Sequence, residues 1–293
     1  INWYPGHMAK TRRQITEDLR LVDIVIELLD ARIPISSRNP DIANITKNKK
    51  KIIILNKSDL SDEKQNKEWI EEFKRQNIVA VLTDSNTGRG IDEAIKTIEK
   101  IMEKELTLYA EKGRIGKKIK AMVLGIPNVG KSSFINRISK KASAGVGNKP
   151  GVTRQKQWIR VNDKIELLDT PGVLWPKFES EEVALNLAFT GTIKEDILEK
   201  IEIAYYLIKF LIENYKDKLC ERYKLDVHEV DRILSNQNQA QNENIYEVLL
   251  LIGRKRGCII AGGNVDEEKT ARILLEEFKN GKIGKITLEN AKG

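Results

Sequence analysis

Eight consecutive residues, Gly125-Ile-Pro-Asn-Val-Gly-Lys-Ser132, carry the spacing G-x-x-x-x-G-K-[ST] of a phosphate-binding loop. In such a loop the backbone N–H groups of Asn128, Val129, Gly130, Lys131, Ser132 and Ser133 turn toward a phosphate, and Gly125 and Gly130 let the backbone close around it. Lys131 would reach the β- and γ-phosphates and the Ser132 hydroxyl would hold Mg2+. The helix that starts there would aim its positive end at the anion.

Three further stretches extend this chemistry. Asn56-Lys-Ser-Asp59 is an N-K-x-D sequence. The Asp59 carboxylate can accept from guanine N1–H and the N2 amine, two donors on one edge, whereas adenine presents a lone pair at N1 and is rejected. Asn56 would tie the base to the surrounding loops, the Lys57 stem would pack along the purine, and Ser85-Asn86 would supply backbone donors to guanine O6. Asp169-Thr-Pro-Gly172 fits D-x-x-G. Asp169 would hold Mg2+ through a water, the Gly172 N–H would meet the γ-phosphate, and Thr153 of Pro150-Gly-Val-Thr153 would be a second Mg2+ ligand. Together they describe a site for GTP and GDP with Mg2+. The competing reading, a P-loop ATPase or kinase, predicts ATP binding that survives Asp59→Asn.

Each motif needs a strand to end on, and the sequence supplies one each time. Asp23–Leu29, Lys51–Leu55, Ile78–Leu82 and Lys120–Leu124 read as strands of a mostly parallel, doubly covered sheet. Lys156–Val161 and Lys164–Leu168 read as a hairpin across Asn162-Asp163. Helices are expected at about Met8–Leu21, before Lys47, at Ser61–Gln76, as one long helix over Gly90–Leu108, and after the phosphate loop. The pattern is α/β with helices on both faces. Near Trp175-Pro176 it changes to helices at Glu182–Ala188, Glu202–Tyr215, Val227–Leu234, Ile245–Arg254 and Asp266–Phe278. We therefore expect two domains, 1–178 and an all-α region over 179–293.

The 293 residues are 40% apolar and 32% charged, a soluble composition without an apolar run of the ~20 residues a membrane span needs. Ile1-Asn-Trp-Tyr-Pro lacks the layout of a signal peptide, and Cys220 and Cys258 read as lone buried thiols of a reducing, cytoplasmic protein. The net charge of +8 is unevenly placed: residues 1–178 carry +12 and 179–293 carry −4. From Lys112 to Arg160 there are 13 basic residues and no acidic one, more than one nucleotide needs. A second polyanion follows, with nucleic acid favoured over a membrane surface and a solvated basic face as the plain alternative. Arg254-Lys-Arg256 is a smaller basic cluster that reads either as an RNA contact or as a helix C-terminus before Gly257.

The order of the motifs is unusual, with N-K-x-D ahead of the phosphate loop and none after residue 172. This order, with Trp3-Tyr-Pro-Gly-His-Met8, Asp30-Ala-Arg-Ile-Pro34 and Gly125-Ile-Pro-Asn-Val-Gly-Lys-Ser-Ser133, resembles the bacterial ribosome biogenesis GTPase A family over essentially the whole chain. The resemblance implies a circularly permuted P-loop GTPase domain followed by a helical domain that binds ribosomal RNA. It also implies a cytoplasmic GTPase that matures the large (50S) ribosomal subunit, stimulated by that subunit and monomeric away from it. Where many GTPases place a water-orienting Gln, this chain has Val173. The resemblance offers His7 as the water-orienting group, with an RNA-contacting or exposed residue as the alternative, and Asn128 as a ligand for K+ beside the phosphates. A non-catalytic GTP-binding ribosome scaffold is the runner-up. Because D-x-x-G leads straight into the helical region, its ordering by GTP is expected to re-aim that region.

Overall fold

Strand β1 (Ile24–Asp30) is buried at every position, on both sides of its pleat, as a strand must be when helices cover both faces of its sheet. β2 (Lys50–Asn56) and β4 (Ile119–Gly125) flank it in parallel. β3 (Val79–Leu82) lies outside β2, β6 (Ile165–Asp169) outside β4, and short β5 (Trp158–Arg160) runs antiparallel to β6. They form one six-stranded sheet in the order β3-β2-β1-β4-β6-β5. The computed structural model describes residues 5–114, 116–143, 158–170, 180–193, 200–237 and 240–291, and the side chains of these except 5–9 and 141–143.

The parallel register puts Asp30 opposite Asn56, and Leu28 opposite Gly125. The C-terminal strand ends, where motif residues were expected, thus lie side by side. The crossover from β3 back to the sheet centre at β4 is where the permutation shows: counted from β4, the strand before the phosphate loop comes first and the N-K-x-D strand late.

Val22, Val25, Met122, Leu124 and Leu168 form one buried cluster with Ile15 of α1 (Pro5–Asp18) and Ile42 of α2 (Pro40–Ile45). Leu29, Ile53 and Leu55 pack on Trp69 and Phe73 of α3 (Glu63–Arg75). The alternate residues Ile24, Ile26, Leu28, Ile52 and Ile54 are equally buried, each side chain contributing roughly 1.5–3 kcal/mol by leaving water. α4 (Ile91–Ile101) packs on β2, and α6 (Lys131–Ser143) on β4. The single helix expected over 90–108 is two, because Met102 (φ −97°, ψ 3°) breaks it before α5 (Glu103–Glu111). Ile91, Ala94 and Ile98 bury their stripe while α5 buries none of its residues. Periodicity alone does not register that the second stripe has no core to face. In the hairpin, the Asn162 side chain accepts from the Lys164 and Ile165 N–H groups, both at 2.8 Å, the local bond that makes Asn a turn former.

The chain divides into two compact units, Ile1–Glu179 with Glu289–Gly293, and Ser180–Leu288. The helical unit thus stops short of the expected end at 293, and the last segment returns to the sheet unit, where Trp69 Nε1 donates to the Glu289 carbonyl at 3.0 Å. The helical unit comprises α7 (Glu181–Phe189), α8 (Lys200–Tyr223), α9 (Val227–Leu234), α10 (Gln241–Lys255) and α11 (Glu267–Lys279), and α8, α10 and α11 pack pairwise. α8 runs past the expected Tyr215 but bends there (φ −143°, ψ 37°). The Tyr215 hydroxyl donates to the Thr287 carbonyl at 3.2 Å and accepts from the Thr287 N–H at 3.3 Å. Cys220 and Cys258 are free and buried.

Candidate nucleotide site

β2 ends at Asn56, and the chain can turn there because Lys57 adopts left-handed backbone, φ 59°. Asn56 is buried, and both ends of its carboxamide are engaged. Nδ2 donates to the Val129 carbonyl at 3.0 Å. Oδ1 accepts from the Thr83 hydroxyl at 3.1 Å, the Ser85 N–H at 3.2 Å and the Ser85 hydroxyl at 2.7 Å. One side chain therefore fastens the loop after β3 and the phosphate loop to the end of β2. Gly130 (φ 95°) passes so close that a Cβ there would sit 2.3 Å from Asn56 Nδ2, which is why the second glycine is obligatory. Lys57 Nζ reaches across to donate to the Asn128 carbonyl at 2.7 Å and pairs with Asp30 at 3.2 Å.

Asp59 follows this turn, and its Oδ1 is buried without a hydrogen-bond partner. A buried acceptor left unmade costs about 1–3 kcal/mol, and a ligand edge bearing N–H donors would recover it. Burial, with the nearby Asp84 carboxylate, pushes the Asp59 carboxyl above its ordinary value against the opposing charges of Arg32 and Arg89. The Ser85 and Asn86 amides, expected to serve guanine O6, have partners within the chain. The Ser85 N–H is held by Asn56, and the Asn86 N–H donates to Asp84 Oδ1 at 2.9 Å. Both residues stabilise the frame that carries Asn56.

On the phosphate side, Gly125 closes β4, where a Cβ would lie 3.0 Å from the Leu28 carbonyl. Ile126, Pro127, Asn128, Gly130, Lys131, Ser132 and Ser133 line an open recess of about 510 Å³. α6 begins at Lys131 with no acidic residue in its first turn, so its positive end is not neutralised. Lys131 Nζ pairs with Asp169 Oδ1 at 2.5 Å, bringing the loop lysine and the D-x-x-G carboxylate to one point. Thr170 Oγ1 anchors the end of β6 by donating to the Val123 carbonyl at 2.6 Å. Among the described residues no group of three His, Cys, Asp or Glu converges on a metal position. A Mg2+ would fit the hard oxygens of Asp169 and Ser132 only jointly with phosphate and water oxygens. Thr153, Gly172 and Val173 lie outside the described residues. His7 falls in the first turn of α1, and its side chain is outside the described residues.

Three further residues brace the site, though the sequence reading gave none of them a role in it. Arg137, on the second turn of α6, donates to the Ser85 carbonyl at 3.1 Å and to the Asn86 carbonyl. The phosphate-loop helix thereby grips the loop after β3. Asp30 and Arg32 are both buried and joined by two side-chain hydrogen bonds, at 3.0 and 2.8 Å. Burial raises the Asp30 carboxyl, but the charges of Arg32 and Lys57 outweigh it and hold the group well below the carboxylate range. Two opposite charges spaced i and i+2 at the end of an otherwise apolar strand were the available signal. Nothing in the spacing flagged Arg137.

The basic run is less free than its sequence count. Lys117 pairs with Asp23 at 3.5 Å, Lys118 with Glu166 at 2.6 Å, and Arg160 with Asp163, while Lys112, Arg114 and Lys140 are exposed. In the helical unit Arg254, Lys255 and Arg256 are all exposed, and Arg256 pairs with Glu277 and lies over the Tyr223 ring.

With this geometry in place, the comparisons agree with one another. A family model described as 50S ribosome-binding GTPase matches residues 120–252. It begins at β4, leaving Asn56–Asp59 upstream of its first residue, as a permuted chain requires. The Bacillus cereus protein named Ribosome biogenesis GTPase A is 44% identical over 289 residues, covering 99% of this chain and 93% of the relative. GDP-bound YlqF superposes with a TM-score of 0.66 at 26% identity, covering 96% of this chain and 100% of that one. GNP-bound YlqF from T. maritima gives 0.63 at 26% identity, covering 97% and 99%.

Proposed function

This chain belongs to the ribosome biogenesis GTPase A family, a GTP-hydrolysing enzyme of ribosome assembly, and from that premise we propose how its site works and on what. Guanine lies against Asn56–Asp59, with Asp59 accepting from N1–H and the N2 amine and the Lys57 stem packed on the ring. The phosphates take the amides of Asn128, Val129, Gly130, Lys131, Ser132 and Ser133, with Gly172 closing on the γ-phosphate. Lys131 exchanges Asp169 for phosphate oxygens as they arrive. Ser132, Thr153 and Asp169 would hold Mg2+, which neutralises charge on the β- and γ-oxygens. Asn128 would contribute to a K+ site, a fixed positive charge beside the transferring group. His7, entering from the start of α1, orients the attacking water in the role Val173 cannot fill.

The single observation that carries this reading is the partnerless Oδ1 of Asp59 beside a loop cross-linked to it through Asn56. The partner is the large ribosomal subunit, reached through ribosomal RNA by the exposed cations Lys112, Arg114, Lys140, Arg254 and Lys255. No described helix is long and apolar enough to cross a membrane, and the protein acts in the cytoplasm as a monomer. Multiple-turnover GTP hydrolysis with isolated large subunits and K+ tests this. We expect stimulation by the subunit, and a loss of kcat of at least about a hundredfold in His7→Ala, the low end of the usual range for a positioned acid–base group. No stimulation of the parent protein would remove the subunit from the proposal, and full activity in the variant would remove His7.

A further inference from the structure

The segment that follows the helical unit does not trail away from the sheet unit. The Glu289 carboxylate accepts from the Ile35 N–H at 2.6 Å, from the Ser36 N–H at 2.8 Å and from the Ser36 hydroxyl. Its carbonyl accepts from Trp69 Nε1 at 3.0 Å, and Ala291 packs on the Trp69–Phe73 cluster. Two successive amides converging on one carboxylate form an anion-binding concavity of the kind that usually awaits a ligand. In this chain the ligand comes from the chain itself, some 250 residues downstream of the turn.

The turn so held is not a remote one. Ile33 N–H donates to the Asp30 carbonyl at 3.0 Å and Ser37 N–H to the Ile33 carbonyl at 2.9 Å. The Ser37 hydroxyl donates to the Ile33 carbonyl at 2.6 Å and accepts from the Asp30 N–H at 3.1 Å. Asp30 in turn holds Lys57, and the Ala31 N–H donates to the Asn56 carbonyl at 2.8 Å. We propose that Glu289 is a positioning residue for guanine-nucleotide binding, acting through the Ile33–Ser37 turn and Asp30 to set where Lys57 crosses the base site. This rests on the reading of Lys57 as the residue that packs on the base. It adds that the segment leaving the helical unit is part of what shapes the base side of the pocket.

The test is a double-mutant cycle between Glu289→Ala and Lys57→Ala, read as the dissociation constants of a fluorescent GDP and of a non-hydrolysable GTP analogue. Lys57→Ala is expected to weaken both nucleotides about tenfold. Glu289→Ala is expected to weaken both by about three- to tenfold, the loss falling on KM while kcat at saturating GTP moves less than about twofold. In the Lys57→Ala background, Glu289→Ala should cost less than about twofold more, a coupling that general loosening of the fold would not produce. Glu289→Gln, which keeps an acceptor but loses the charge, should fall between parent and Glu289→Ala, and serves in its place if the alanine variant does not fold. Parent-like affinity in folded Glu289 variants, or full additivity with Lys57→Ala, overturns the proposal while leaving the reading of Lys57 intact. Unchanged affinity in Lys57→Ala overturns both.

Discussion

Asp59, the proposed reader of the base, shows what a buried acceptor without a partner costs a folded protein. Its carboxyl is pushed up because burial and Asp84 both disfavour the ionised form, so the folded protein binds that proton more tightly than the unfolded chain does. The ionised group therefore costs stability at neutral pH, and the cost disappears as pH falls through the raised pKa. Asp59→Asn should accordingly melt higher than the parent at pH 7 without nucleotide, with a difference that shrinks in acid, as followed by calorimetry. The same variant should lose at least about 10²-fold in GTP affinity, since two charge-assisted bonds of roughly 1.5–3 kcal/mol each are removed. In the parent, GTP affinity should fall on acidification at a pH above the ordinary Asp range. The identity of Asp59 was legible in N-K-x-D; its waiting acceptor was not, because burial is a property of the loops packed around it. Asn56 illustrates the same limit from the other side. Its bridging role is readable in the motif, but not its hydrogen bond from the Ser85 N–H.

At the scale of elements, the strands were legible because five of six are parallel and the central β1, β2 and β4 are buried along most of their length, and continuous apolar runs have few other readings. α4 and α5 were not, because an apolar stripe repeats identically whether or not a sheet lies beneath it. Arg137 was invisible for a related reason: on the sequence it is one more cation in a basic run, and only the meeting of α6 with the loop after β3 gives it work. That meeting joins the proposed phosphate side of the site to the proposed base side. Arg137→Ala should therefore weaken GDP and GTP equally, by about tenfold, as expected for losing one or two charge-assisted bonds to carbonyls. The GTP-to-GDP affinity ratio measured by titration calorimetry should stay at its parent value. A change in that ratio would place Arg137 in sensing of the γ-phosphate instead.

For the molecule as a whole, the motif order announced a permuted sheet, and the order β3-β2-β1-β4-β6-β5 follows from it. The return of Glu289 to the sheet unit was not announced, because the contact spans some 250 residues and involves one ordinary glutamate. The charge excess was likewise visible only as a count. Folding pairs Lys117 and Lys118 with Asp23 and Glu166, acids from distant parts of the sequence, so those cations already have short-range partners and their net contribution at a phosphate is reduced. Lys112 and Arg114, exposed on the segment leading into β4, have no such acidic partner among the described ion pairs and keep most of their charge for an external polyanion. If RNA is that polyanion, each cation that neutralises a phosphate releases counterions and adds about one unit to the salt dependence of binding. Binding of the GTP-loaded protein to large subunits, measured by sedimentation between about 50 and 200 mM salt, should weaken in Lys112→Gln with Arg114→Gln. Its log–log salt slope should become shallower by about two. Lys118→Gln should leave the slope near the parent value. Equal slopes for all three proteins would assign these cations to solubility and move the RNA contact elsewhere.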